Sequence, residues 1–163
     1  MKAIKRFRWP VILLLAVVLC AGGYAVWAQD SVFIGPAPDA IAALAGKPVI
    51  EIREKMFIAQ YNDILLNLDQ YMDSVVKYEG IFGDLSGDDT PYYFVYRNSP
   101  GCCGADGIVG FEVIWDQPYP EENSWVEVVG TLERYEEWGS TYLRLRLASL
   151  NVKTERGAEF VTL

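Results

Sequence analysis

The chain has no histidine among its 163 residues. That absence removes Ser–His and Cys–His nucleophile pairs and every imidazole metal ligand, because no other side chain combines near-neutral basicity with nitrogen ligation. Cysteine is scarce as well, with three in all: Cys20, Cys102 and Cys103. Basic residues are few beyond the N-terminus. Lys2, Lys5, Arg6 and Arg8 supply every positive charge before Gln29, so the remainder carries 10 bases against 22 acids, a charge of −12. Nucleic-acid binding draws most of its affinity from Lys and Arg neutralising phosphates, so nucleic acid is excluded as the expected partner. Internal repeats and low-complexity tracts are missing too.

What is present begins with an address. The basic residues Lys2 to Arg8 precede an uncharged run of 19 residues, Trp9 to Trp27, with a strongly apolar block from Val11 to Cys20. This pattern directs export and keeps the N-terminus on the cytoplasmic side. Residues 1–28 therefore read as a signal peptide or membrane anchor. The run is close to the roughly 20 residues that span a bilayer, and Trp9, Tyr24 and Trp27 suit its interfaces, which favours the anchor. Val26-Trp27-Ala28 keeps cleavage before Gln29 open. Leu19 argues against lipidation at Cys20, which reads as an apolar residue of the membrane segment. Residues 29–47, with Gly35, Pro36, Pro38 and Gly46, read as a linker containing one helical turn near Ala40 to Ala45. The domain proper occupies 48–163.

Within it, Val49 to Arg53 alternates as a short strand. Phe57, Ile58, Tyr61, Ile64, Leu65 and Leu68 then fall on one face at helical spacing, the mark of a helix docked on a core. Past Asp73 the period becomes two. Val76, Tyr78, Gly80 and Phe82 share a face; the aromatic run Tyr92 to Arg97 reads as a strand covered on both sides. Val109, Phe111, Val113 and Trp115, then Val126, Val128, Gly130 and Leu132, then Leu143, Leu145 and Leu147 give three more. The expected fold is mainly β: a small five-stranded OB-like barrel, preceded by a short strand and one amphipathic helix. Gly80, Gly110 and Gly130 suit the bends that curling requires. The segment Asp116 to Asn123 is too short and Pro-rich for the helix an OB-fold commonly places there.

Chemistry concentrates in Ser99-Pro100-Gly101-Cys102-Cys103-Gly104-Ala105-Asp106-Gly107. Three readings stand. Cys102, Cys103 and Asp106 form a soft-metal site for Zn(II) or Cu(I), completed by water, a carbonyl, Glu112 or another chain. Alternatively, Cys102 and Cys103 form a vicinal disulfide that switches with redox state outside the cytoplasm. Or the stretch is a tight turn with thiols acting as small apolar groups and Asp106 capping it. Glu112, Glu127, Glu133, Glu136 and Glu137 are read as surface acids rather than paired hydrolytic carboxylates. Asp84, Asp88 and Asp89 lack EF-hand spacing and read as a solvated loop. Tyr92, Tyr93, Tyr96, Trp115, Trp125 and Trp138 are candidates for a stacking surface toward a sugar or peptide, with core or rim positions favoured for most.

Phe57-Ile58-Ala59-Gln60-Tyr61-Asn62-Asp63-Ile64, Tyr78-Glu79-Gly80-Ile81-Phe82, Tyr93-Phe94-Val95-Tyr96-Arg97, Pro100-Gly101-Cys102-Cys103-Gly104-Ala105-Asp106, Val109-Gly110-Phe111-Glu112-Val113 and Trp125-Val126-Glu127-Val128 resemble the C-terminal extracytoplasmic domain of the YcgQ-like predicted permease subunits, a bacterial family of unknown function. The likeness covers about residues 48 to 160. Members carry more than one span ahead of this domain, whereas this chain has one. The resemblance implies a subunit beside a predicted permease in the bacterial envelope, and no activity to transfer onto Cys102, Cys103 or Asp106. The expectation is a binding or accessory module, not an enzyme, with the membrane, the permease subunit and a metal ion as partners. The domain would lie outside the cytoplasmic membrane, anchored there or secreted after cleavage at Ala28.

Overall fold

A computed structural model describes residues 41–87, 90–100 and 106–162. The N-terminal segment 1–28 and most of the linker lie outside these residues. Among the described residues no helix is long and apolar enough to cross a membrane. The end of the linker makes the expected helical turn, with Leu44 and Ala45 donating to the carbonyls of Ile41 and Ala42 at 3.0 and 3.2 Å.

The domain is mainly β, a six-stranded mixed sheet with little helix: β1 Val49–Glu51, β2 Val75–Asp84, β3 Tyr93–Pro100, β4 Asp106–Ile114, β5 Trp125–Glu137 and β6 Ser140–Val152. The strand order is β1-β2-β3-β4-β6-β5, and β2 also pairs with β5. β2 divides its length between these partners. Val75 to Ile81 pair with β5, while Ile81 to Asp84 pair with β3. The parallel contact of β4 with β6 is short, from Glu112↔Arg144 to Ile114↔Arg146. β1 adds itself parallel to the start of β2.

Alternating apolar residues build one continuous core. Val76, Tyr78, Phe82, Val95, Phe111, Val113, Trp115, Val126, Val128, Leu132, Leu145 and Leu147 are all buried in it. Leu150 joins them although its parity along β6 is opposite to that of Leu145 and Leu147. The cause is a bulge: Val129 pairs Ser149 and Gly130 pairs Leu147, so Ala148 is the extra residue and the faces exchange after it. Glycine is needed beside that bulge and again on β4. A Cβ at Gly130 would lie 2.4 Å from the Arg146 carbonyl oxygen, and one at Gly110 only 2.1 Å from that of Val95. Backbones approach here more closely than any side chain permits.

Several local expectations change. The helix breaks at Asn67 into α1, Phe57–Leu66, and α2, Leu68–Tyr71. The Asn67 N–H closes the last helical turn on the Asp63 carbonyl at 2.9 Å, while its side-chain amide binds back onto the Asp63 carboxylate and carbonyl at 2.7 and 3.3 Å. Such local bonds compete with helix continuation. Phe57 and Ile64 are buried, but Leu65 faces solvent. β3 is not covered on both sides. Val95, Arg97 and Ser99 are buried, while Phe94, Tyr96 and Asn98 are half-exposed. The turn expected from Asn98 to Gly107 is shorter, because β3 runs to Pro100 and β4 starts at Asp106.

Arg97 is the exception in the core, 2% exposed. Its Nε donates to the Glu79 carbonyl at 2.8 Å, and its Nη1 to the Ala158 carbonyl at 2.9 Å and to the Glu54 carboxylate at 3.2 Å. The guanidinium also lies over the rings of Trp125 and Phe57, 4.8 and 5.1 Å from their centroids. Every acceptor it meets comes from a different segment. Removing it leaves the Glu79 and Ala158 carbonyls without this donor, while the half-exposed Glu54 can turn to water, so Arg97→Met should cost about 3 kcal/mol in urea unfolding. Arg97→Lys should recover little of that, since an ammonium cannot reproduce the planar fork.

Glu54 also accepts the Ala158 N–H, at 2.9 Å. That bond first, and the Arg97 hydrogen bond second, hold its carboxyl below the usual range. A lowered folded-state value contributes stability above the ordinary carboxylate pKa and loses it as pH falls through the folded value. Unfolding measured from pH 6 downward should therefore show an acid-side loss that is shallower in Glu54→Gln.

Candidate functional site

The two cysteines expected to carry chemistry, Cys102 and Cys103, lie outside the described residues. Asp106 opens β4, and its backbone pairs with Pro100, so residues 101–105 connect two positions in register at one end of the β3–β4 hairpin. Among the described residues no group of three Cys, Asp or Glu side chains is placed to hold a metal ion. Glu112, considered above as a completing ligand, belongs elsewhere. It pairs with Phe94 near the far end of the hairpin, six residues along β4 from Asp106, or about 20 Å at strand rise. Its carboxylate accepts the Tyr135 hydroxyl at 2.5 Å.

The other acids separate in the same way. Glu127 pairs with Lys77 at 3.0 Å, and Glu133 takes both Arg144 and Arg146, at 3.3 and 2.5 Å. Glu136 accepts from Thr141 Oγ1 at 2.6 Å. Each of these four carboxylates, Glu112 included, is engaged by a basic or hydroxyl side chain of its own. Asp84 accepts the Ser86 N–H at 3.0 Å and so closes a turn. Asp88 and Asp89 are outside the described residues.

The hairpin's far end carries the concave surface. A cavity of about 530 Å³ is lined by Tyr92, Tyr93, Tyr119, Tyr135, Glu112 and Arg144, among others. Beside it a second cavity, of about 370 Å³, shares Thr90, Tyr92 and Glu137 and adds Leu85, Trp138 and Tyr142. Strand parity places Tyr135 and Glu137 in the lining, and Glu136 joins it from the other face. Glu133, Tyr135 and Glu137 project from one face of β5, each half-buried, while Arg134, Glu136 and Trp138 are exposed. Tyr142 and Arg144 stand opposite Tyr135 and Glu133 on β6. Tyr135 stacks on Tyr142 at 5.5 Å, and the Arg144 guanidinium covers its ring at 4.7 Å. Tyr93 stacks on Tyr119 at 4.0 Å to wall the inner side.

The six aromatics named from sequence divide accordingly. Trp115 and Trp125 are core residues, Tyr92 and Tyr93 line the cavity, Tyr96 is half-buried, and Trp138 is 87% exposed. Tyr119, Tyr135 and Tyr142 escaped sequence reading. The spacing Glu133, Tyr135, Glu137 did carry a signal, since it continues the strand period past the last apolar residue, Leu132.

These features define a small, mainly β domain with an aromatic cavity at one end of a hairpin and a cysteine-bearing connection at the other. The family model described as the DUF1980 C-terminal domain matches residues 36–160, and the chain belongs to that family. Neither the curated proteins nor the solved structures give a match.

Burial, and then the hydrogen bond to Glu112, push the Tyr135 phenol well above its ordinary value. Glu112→Gln keeps the burial but loses the carboxylate, so its Tyr135 ring should begin to ionise at a lower pH than in the wild-type protein, read by carbon-13 NMR.

Proposed function

We propose that this chain is a membrane-tethered, extracytoplasmic binding or accessory module of a bacterial envelope transport system, working beside a predicted permease subunit and not as an enzyme. The family membership and the likeness to the YcgQ-like subunits support the partner; the basic, then apolar, N-terminus supports the address. The finer architecture proposed is an OB-like barrel. In its favour, the pairings run β2-β3-β4-β6-β5 and return to β2, with the β4–β6 contact parallel.

The mechanism proposed is capture of a thiophilic cation, Zn(II) or Cu(I), by the thiolates of Cys102 and Cys103 with the Asp106 carboxylate as an oxygen ligand. The observation that carries this reading is the Pro100↔Asp106 pairing, which brackets both cysteines within five residues between two anchored strands. Two thiolates and a carboxylate leave coordination open, and the −12 charge of residues 29–163 concentrates cations around the domain. The full chain purified under reducing conditions should retain stoichiometric Zn or Cu, and the Cys102→Ser/Cys103→Ser double variant should lose it. Equal metal content in both, by elemental mass spectrometry, overturns the site. If instead the wild-type thiols resist alkylation until reduced, the pair is a disulfide and the redox switch replaces the metal reading.

A further inference from the structure

Trp138 stands at the turn between β5 and β6 with φ 49°, followed by Gly139 at φ 77°. A left-handed backbone is strained for a bulky aromatic, and glycine or asparagine would be the undemanding choice. Nor does packing compensate, because the indole is 87% exposed. Leu85, 49% exposed, and Tyr142, 36% exposed, line the same cavity. Folding alone gives no reason for a strained, solvent-facing tryptophan beside two further exposed apolar side chains. Strain and exposure of this kind mark contact surfaces.

Charge selects the occupant. Arg144 is the one cation among the described residues lining the two cavities. It is matched by Glu133, which it shares with Arg146, and Asp116 lies 3.9 Å from Arg146. Two arginines and two acids cancel. Glu112, Glu136 and Glu137 remain, the first two bonded to neutral hydroxyls that leave their charge intact. Glu137 has no ion pair among the described residues and lines both cavities, beside Tyr92, Trp138 and Tyr142. Aromatic faces around an unneutralised carboxylate attract a cation by the ring quadrupole and by Coulomb attraction together. A sugar would use the rings but leave the charge excess unanswered.

We propose that this surface binds an organic ammonium or guanidinium cation, seated against Trp138, Tyr142 and Tyr92 and paired with Glu137. These four side chains line one cavity of about 370 Å³, in the range of small-molecule sites. The same chemistry arrives either as a free small cation or as a lysine or arginine side chain of a partner polypeptide. This site lies away from the Pro100–Asp106 end of the β3–β4 hairpin and does not depend on the metal reading.

The test is calorimetric titration of the full chain in maltoside micelles with choline, arginine amide and a Lys-Arg hexapeptide. The neutral choline isostere 3,3-dimethylbutan-1-ol and glucose serve as controls. At least one cation should saturate below about 10 mM, a weak but measurable affinity, while the neutral isostere should not. Saturation by choline or arginine amide identifies a free cation as the source; saturation by the peptide alone identifies a partner side chain. Glu137→Gln and Trp138→Ala should each weaken binding by about five-fold or more. Both positions lie at the turn between β5 and β6, and circular dichroism confirms that each variant is folded. Equal binding of choline and its neutral isostere, preference for glucose, no saturation by any cation, or indifference to both substitutions overturns the proposal.

Discussion

A single buried guanidinium holds the domain's parts in place. Arg97 occupies a core position on β3 and converts what would be a lone buried charge into a junction. It reaches Glu54 ahead of α1, Glu79 on β2, Trp125 on β5 and Ala158 near the C-terminus. The C-terminal segment is drawn in by the same junction. Asn98 donates to the Glu159 carbonyl and accepts from Val161, each at 2.8 Å, so this segment runs alongside β3 next to the arginine. Burial of Val161 in the core anchors the end of this segment, but it does not orient the polar residues before it. Directional donors do, because a guanidinium left short of acceptors in the core costs several kcal/mol.

Strand existence and the facing of core residues were legible because burial on one side imposes a period of two, and Phe111, Val113, Val126, Val128 and Leu145 carry it without interruption. The features that escaped depend on what lies across a strand. Ala148 looks like any strand residue until Gly130 and Leu147 pair beside it, so the exchange of faces that buries Leu150 is invisible locally. Arg97 has the parity of Val95 and Ser99, which hinted at a buried charge, but its acceptors are up to 61 residues away in sequence. Asn67 is different. Its competition with the helix is local chemistry, and an asparagine between two apolar helical runs deserved reading as a break.

The candidate sites were legible in unequal measure. The double cysteine stood out by composition, whereas the tyrosine-lined surface is assembled from β3, β4, β5 and β6 and from the segment after Trp115. No linear window contains it. Tyr135 illustrates the difficulty: between Arg134 and Glu136 it looks like a surface aromatic, yet Glu112, Tyr142 and Arg144 converge on it from two other strands.

The separation of the two ends bears on how the metal reading would operate. Glu112 is committed to Tyr135, about 20 Å away along the strand. A site built from Cys102, Cys103 and Asp106 would then complete its coordination with solvent or with a second molecule. Closed four-ligand sites retain zinc as a structural element, while open ones exchange ligands. On the function proposed above, an open site would fit delivery better than storage, since the partner would contribute the missing donor at the moment of transfer.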